Sequence, residues 1–182
     1  MTTVTTHAHH TPDELLHLDG LFELVGGELV EKQLSFLAGK AAIRIILSLE
    51  TWLQRNPVGD LVSEVTFRCF PDDPDLIRRP DVAFVAADRA ATIPPEGHVR
   101  IAPDLAIEVI SPTNTINVFE EKLSDYRSAD VKLVWEVNPT LRYVRIHRPN
   151  RTTLLLEEDE ILSGEGVLPG FSVKVAELLP AP

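Results

Sequence analysis

The sequence predicts a single domain of the α/β (or α+β) class, with a central β-sheet flanked by helices. A chain of 182 residues that is 44% hydrophobic is long enough to bury one sizeable core. Short apolar runs bounded by turn residues recur along it, as expected for strands. Two longer stretches have the three- and four-residue apolar spacing of amphipathic helices. Strand-like and helix-like segments thus alternate, which is typical of a sheet covered by helices.

The N-terminal half begins with a polar segment, 1–13, that is expected to be a disordered tail, so that the domain covers 14–182. Two short strands, 21–25 and 28–31, are predicted around Gly26 and Gly27, because paired glycines tolerate the positive φ of a tight turn. The first long helix is predicted to end near Asn56 and Pro57. Its apolar stripe is formed by Ala38, Ala42, Ile45, Leu49 and Trp52.

The rest of the chain returns mainly to strands. Strands are predicted at the apolar runs 61–70, 81–87, 105–110, 131–137, 141–147 and 152–156. A second helix is predicted over 115–128, with an apolar face of Ile116, Phe119, Leu123 and Tyr126. The later strands predict an antiparallel, β-rich C-terminal part, followed by a short tail that contains Pro169 and Gly170.

The overall composition excludes some functions and disfavours others. No apolar run is long enough to span a bilayer, and the N-terminus lacks the layout of a signal peptide, so a cytoplasmic protein without a membrane partner is expected. The single cysteine, Cys69, excludes an internal disulfide or a cysteine-rich zinc site. A net charge of −11 disfavours a polyanionic partner. The stretch 122–151 is locally basic, and it suits either a phosphate backbone or simple solvation of strand edges.

Two acidic residues interrupt or open apolar strands. Glu108 lies within the run 105–110, where an ionised carboxylate is costly unless it is paired or bound to a metal. Asp81 opens the strand 81–87, directly after Arg78, Arg79 and Pro80. A lone acid of this kind is more often a salt-bridged residue. Two of them on converging strands would repel each other, and a hard divalent cation such as Mg²⁺ would reverse that cost.

Lys122 is the third candidate, on the predicted helix 115–128. It lies one turn from Phe119 and from Tyr126, so its ammonium can be directed inward. A surface lysine is the common interpretation of a single helical Lys. Beside a carboxylate pair that binds metal, Lys122 would instead hold or deprotonate an attacking water and offset charge on the phosphorane. Tyr126 is expected in the core with its hydroxyl near the site, and Asp104 is interpreted as structural.

Several segments, in order, resemble the Uma-type restriction endonuclease domains. These segments are GGELVE (26–31), RPDVAFV (79–85), APDLAIEVISP (102–112), EKLSDY (121–126), VKLVWEVNP (131–139) and LPGF (168–171). The resemblance covers nearly the whole chain from about residue 20. It implies the PD-(D/E)XK nuclease superfamily, with a restriction-endonuclease-like fold whose central mixed sheet is flanked by helices.

The resemblance also implies a site. Asp81, Glu108 and the carbonyl of Val109 would bind Mg²⁺, with Mn²⁺ as a substitute, and an N-terminal acid would lie nearby, Glu28 in preference to Glu31. The usual lysine of the superfamily would fall at 110, where this chain has Ile110. Lys122, on the following helix, matches the position to which Uma-type proteins move that lysine.

These observations predict a Mg²⁺-dependent endonuclease that hydrolyses DNA through a metal-activated water, with Asp81, Glu108, Lys122 and Glu28 as its catalytic residues. Two alternatives stay open: a catalytically inactive nuclease-like module for binding or assembly, and a nuclease directed at RNA. A homodimer is expected, because two sites naturally serve the two strands of a duplex.

Overall fold

The structure is a computed structural model, and it describes residues 9–33, 35–111 and 116–181. Residues 1–8 of the predicted disordered tail lie outside this part, and the first helix begins at Pro12, inside the segment assigned to the tail. In order along the described chain, the elements are α1 (Pro12–Leu15), β1 (Phe22–Val25), β2 (Glu28–Glu31), α2 (Phe36–Leu53), β3 (Gly59–Ser63), β4 (Val82–Ala86), α3 (Ala87–Ala90), β5 (Leu105–Val109), α4 (Ile116–Ser128), β6 (Leu133–Asn138), β7 (Tyr143–His147), β8 (Thr153–Glu157), β9 (Ile161–Gly164), β10 (Leu168–Lys174) and α5 (Val175–Leu178).

The centre of the fold is a six-stranded sheet in the order β3-β4-β5-β6-β7-β8. Strands β5 and β6 are parallel, and the other neighbouring pairs are antiparallel. A parallel pair needs a crossover connection, and α4 lies on that connection between β5 and β6. The sheet is therefore mixed, which confirms the predicted fold class.

Helices cover both faces of this sheet. Because side chains alternate along β5, Leu105 and Ile107 join the core beneath α2, whereas Ala106 joins the core beneath α4. Helix α2 buries Ala38, Ala41, Ile45, Leu49 and Leu53. Helix α4 buries Phe119, Lys122, Leu123 and Tyr126. In the described part of the chain, no helix combines the length and apolar character that a membrane span requires.

The ends of the two long helices differ from the predicted apolar stripes. The hydroxyl of Ser35 caps α2 by accepting from the N–H of Ala38 at 3.1 Å. Trp52 was predicted on the buried stripe but is only half-buried, because Leu53 takes the core position of the last turn. Ile116 is 82% exposed, so its assignment to the apolar face of the second helix was wrong. It is the first described residue of α4, and the helix packs on the sheet only from Phe119 onward.

The C-terminal part is more ordered than the short tail that was predicted. Strands β9 and β10 form a separate antiparallel pair, and α5 follows them. Phe171 in β10 stacks on Trp135 of β6 with ring centroids 6.0 Å apart, and it meets Trp52 edge-on at 5.8 Å. The apolar residues of this segment therefore complete the core on the α2 side. With β7 and β8, they confirm the predicted β-rich C-terminal part.

One predicted strand is too long. The apolar run 61–70 was expected to be continuous, but β3 ends at Ser63 and Glu64 has a φ of +57°. The chain therefore turns out of the sheet after Ser63. Phe67, farther along the run, is fully buried, and its backbone forms isolated β-bridges with Arg78 and Val99. Burial can explain the apolar sequence without a strand.

Candidate active site

The two predicted carboxylates lie opposite each other on neighbouring strands. In the antiparallel pair β4–β5, Val82 faces Ile107, so the next position outward places Asp81 opposite Glu108. Directly opposed residues in antiparallel strands have Cβ atoms about 4.5–5.5 Å apart and share a face of the sheet. Both residues are buried, with Asp81 6% and Glu108 3% exposed. The fold thus keeps two acids side by side, away from water.

This arrangement is electrostatically unfavourable for Glu108. Burial and the neighbouring Asp81 carboxylate raise the pKa of Glu108 above its ordinary value, although the Lys122 ammonium opposes this change. Asp81 is also fixed from the side of β5, since the N–H of Val109 donates to its Oδ2 at 2.6 Å. The N–H and C=O of one strand residue point to the same edge, so the carbonyl of Val109 faces the Asp81 side as well.

Lys122 reaches the carboxylates from α4. Its Nζ lies 3.1 Å from Glu108 Oε2 and 2.8 Å from Glu23 Oε1. Burial alone would lower the pKa of Lys122, but the Glu108 and Glu23 carboxylates raise it above the ordinary value. The side chain is therefore an ammonium at neutral pH. It is 6% exposed, which excludes the interpretation of a surface lysine.

Tyr126 occupies the position expected of it. It is fully buried, and its hydroxyl donates to Glu108 Oε1 at 2.5 Å. Burial and the Glu108 carboxylate raise the pKa of Tyr126 well above its usual range, so the hydroxyl stays protonated. The two oxygens of Glu108 thus accept from Tyr126 and from Lys122. These two bonds fix the orientation of the carboxylate.

Glu23 is a hairpin acid that contacts the other site residues, and the sequence did not single it out. Glu23 is 1% exposed on β1 and pairs with Lys122 and with Arg78 Nη1, the latter at 3.0 Å. Burial raises the pKa of Glu23, but Lys122 and Arg78 outweigh this effect and the pKa is lowered. Glu28 follows the glycine turn and is exposed. The family pattern pointed to the hairpin, but Glu23 is the member whose side chain points inward.

A second lysine, which the sequence reasoning missed, contacts Asp81. Lys32 Nζ lies 2.8 Å from Asp81 Oδ1 and 2.9 Å from Glu64 Oε2, and it donates to the carbonyl of Arg79 at 2.7 Å. Burial opposes the charge of Lys32, but Asp81, Glu108 and Glu64 raise its pKa overall. Nothing in the sequence around Lys32 marks it as buried, since it follows a strand with exposed ends.

Arg78 closes the network behind Glu23. Its guanidinium pairs with Glu23 and also contacts Asp125 Oδ2, at 2.6 Å from Nη2. Arg78 is 4% exposed and Asp125 lies on α4, so this link ties β1 to the helix that carries Lys122. A signal for Glu23 was present in the sequence: like Glu108, it interrupts a short apolar strand. The same reasoning could have been applied to it.

The donor set suits Mg²⁺. No group of three or more His, Cys, Asp or Glu side chains that could hold a metal occurs within residues 9–33, 35–111 and 116–181. Mg²⁺, however, usually binds through one or two carboxylates and keeps several waters or substrate oxygens. Asp81, Glu108 and the carbonyl of Val109 provide hard oxygen donors on one side of two strands. The half-buried Lys32 ammonium lies beside Asp81, so a metal ion there would share that carboxylate with a lysine.

The basic stretch 122–151 does not form a free cationic face. Five of its seven cations pair with acids: Lys122 with Glu23 and Glu108, Lys132 with Asp104, Arg142 with Glu158, Arg145 with Glu136, and Arg148 with Glu165. The structure therefore favours solvated strand edges over a phosphate-binding face as the interpretation of that stretch. Asp104 also accepts from the N–H of Ala86 and pairs with Arg89, which supports its structural interpretation.

Comparisons with known proteins agree with this fold. A crystal structure of a putative nuclease of the DUF820 family from Anabaena variabilis superimposes with a TM-score of 0.77 and 18% identity, covering 92% of this chain and 96% of that one. This likeness supports the fold. No curated protein matches the chain. The model of the Uma2 family, described as "Putative restriction endonuclease", matches residues 12–176. Because this match spans far more than half of the sequence, the chain belongs to the Uma2 family.

Proposed function

We propose that this protein is a Mg²⁺-dependent endonuclease that hydrolyses phosphodiester bonds of DNA. The observation that carries the proposal is the opposed pair Asp81 and Glu108, buried side by side with the Lys122 ammonium. Two buried carboxylates held together repel each other and favour a cation beside them, so the pair suggests that a cation is bound during function. Membership of the Uma2 family supports the same class of reaction.

In this proposal, Asp81, Glu108 and the carbonyl of Val109 hold Mg²⁺. The bound ion would lower the pKa of a water molecule and neutralise charge on the phosphate. The protein must supply the orientation of these donors. Tyr126 and Lys122 fix the two oxygens of Glu108, and the N–H of Val109 fixes Asp81. This preorganisation lets the donors act without rearranging during the reaction.

Lys122 acts as a hydrogen-bond donor and a positive charge. Its two carboxylate partners keep it protonated, so it is suited to orient a water or a phosphate oxygen and unsuited to remove a proton. Glu23 holds the lysine from the side opposite Glu108, and Arg78 holds Glu23. These two residues position Lys122.

A second candidate is a nuclease-like module without catalytic activity. It is favoured by the internal neutralisation of the site, because Lys32 already pairs with Asp81 and Lys122 with Glu108. The net charge of −11 and the paired basic stretch favour it too.

Hydrolysis of RNA is a further alternative for the same residues. A homodimer also stays a proposal, and size-exclusion chromatography with light scattering would test it.

The decisive experiment is cleavage of plasmid DNA, single-stranded DNA and single-stranded RNA by the purified protein with Mg²⁺, Mn²⁺ or EDTA. The proposal expects metal-dependent cutting of DNA that is abolished in Glu108→Gln and in Asp81→Asn. Lys132→Gln is a matched control, because this lysine pairs with Asp104 away from the site. Cutting of RNA alone would assign the RNA alternative. No cutting of any substrate, with no metal binding by calorimetry, would support the inactive module.

A further inference from the structure

A pocket of about 400 Å³ lies beside the carboxylate pair, at the C-terminal ends of the parallel strands β5 and β6. Its apolar wall is formed by Ile110, Ile116, Phe119 and Leu141, and its polar wall includes Arg145 and Glu120. A largely apolar pocket of this size with a few polar groups is typical of a small-ligand site. The carboxyl ends of parallel strands are also where open α/β sheets bind ligands.

The pocket adjoins the proposed active site. In the parallel pair β5–β6, Glu136 is the register partner of Glu108. Neighbouring strands are about 4.8 Å apart, so the polar wall begins one strand spacing from the catalytic carboxylate. The pocket-lining residue Ile110 directly follows Val109, whose carbonyl is a proposed metal donor. A ligand in the pocket would therefore lie next to the scissile bond.

The neighbours of Arg145 orient its guanidinium so that it can bind an anion. Glu136 accepts from Arg145 Nη1 at 2.9 and 3.2 Å, from the Tyr143 hydroxyl at 2.7 Å, and contacts His147 Nε2 at 2.9 Å. The guanidinium also lies over the Tyr143 ring, 5.1 Å from its centroid. Among the described residues its hydrogen bonds and ion pair to Glu136 involve Nη1, which leaves Nε and Nη2 as further donors, and the side chain is 36% exposed. Arginine donors of this kind suit phosphate oxygens.

From these features we propose that the pocket is a nucleotide subsite, resting on the proposed nuclease function. It takes one unstacked nucleotide of the substrate strand, with the phosphate on Arg145 and the base against Phe119 and the other apolar walls. Aromatic and apolar walls bind the faces of bases that have left the stack. Glu120, which has no ion-pair partner among the described residues, is an acceptor for a base amino group such as that of cytosine.

The test is calorimetric titration of deoxycytidine monophosphate into the full-length protein in EDTA, so that no metal contributes. Arg145→Met is expected to weaken binding roughly tenfold or more, because a charge-assisted hydrogen bond is lost. Ile116→Glu places a negative charge on the pocket rim, where Ile116 is 82% exposed, and it is expected to weaken binding as well. Ile161→Glu is the matched control, since Ile161 is 56% exposed on β9 outside the pocket lining.

The outcomes separate this proposal from the proposed function. Binding by the wild type, Glu108→Gln and Ile161→Glu, with loss in Ile116→Glu, supports the subsite even if no substrate is cleaved. Ile116→Glu also keeps the test valid if Arg145→Met fails to fold, because Ile116 is exposed. No binding of the nucleotide by the wild type, or equal binding by all variants, would overturn the subsite while leaving metal-dependent cleavage intact.

Discussion

Glu108 and Glu136 are register partners on the same face of the sheet, yet their surroundings give them opposite properties. Glu136 accepts from Tyr143 and Arg145 and contacts His147, and these partners lower its pKa despite burial. Glu108 has two donors and faces Asp81, and its pKa is raised. A buried carboxylate in an apolar strand therefore does not by itself mark a functional site. The feature that distinguishes Glu108 is a second carboxylate, Asp81, opposite it on the neighbouring strand.

The largest difference is expected when one carboxylate is removed from each cluster in turn. Glu108→Gln should reduce metal-dependent DNA cleavage by about a hundredfold or more, because it removes a metal donor. Glu136→Gln should leave the metal-dependent step in place. Any loss of activity should appear as a higher KM, because Glu136 positions Arg145. Steady-state kinetics on a short DNA duplex measures both. Equal losses of kcat in the two variants would contradict the different roles assigned to the two acids.

The next effect concerns stability. Lys122→Met should destabilise the metal-free protein by about 3–5 kcal/mol, because it leaves Glu108 and Glu23 buried without their ammonium. Mg²⁺ should restore part of the loss by neutralising Glu108. Urea denaturation with and without Mg²⁺ provides the measurement, and Lys132→Gln serves as the control on an exposed lysine. A change below about 0.5 kcal/mol would mean that Lys122 does not neutralise the site.

Glu136 and Glu108 should also give opposite dependences of stability on pH. The lowered pKa of Glu136 means that its contribution is present above about pH 4.5 and lost as the pH falls through the folded pKa. Because the pKa of Glu108 is raised, this residue lowers the free energy of unfolding as the pH rises above about 4.5. In EDTA, the Glu136→Gln substitution should therefore lower the free energy of unfolding by about 2–3 kcal/mol near neutral pH, and by less in acid. The Glu108→Gln variant should become more stable than the wild type as the pH rises.

Thermal unfolding from pH 3.5 to 8 would test this contrast. If both variants shifted the melting temperature in the same direction across the range, the electrostatic distinction between the two acids would be wrong.

The smallest expected effect concerns Lys32. Because its ammonium occupies one oxygen of Asp81, Lys32→Gln should bind Mn²⁺ roughly threefold to tenfold more tightly, the equivalent of about 1 kcal/mol. Calorimetry would measure the change against Lys132→Gln. Weaker metal binding in Lys32→Gln would instead indicate that Lys32 helps to position Asp81.

Much of this structure could be predicted from sequence patterns. Alternation along β5 placed Glu108 on the face of Ala106, and the hairpin, the long helix and the mixed sheet follow from apolar spacing and turn residues. Order after Glu160 could not be predicted, because β9 and β10 contain glycine and proline and are stabilised by distant partners such as Trp135. Lys32 could not be predicted for a related reason: its burial depends on how the hairpin docks on the sheet. Glu23, in contrast, interrupts a short apolar strand as Glu108 does, so the sequence did carry a signal for it.

Calorimetric titration of Mn²⁺ into the wild type, Glu108→Gln and Glu136→Gln tests whether Asp81 and Glu108 form a metal site. The wild type and Glu136→Gln should each bind Mn²⁺ at one site, and Glu108→Gln should not bind it. Absence of binding in all three proteins, or equal binding by Glu108→Gln and the wild type, would contradict it.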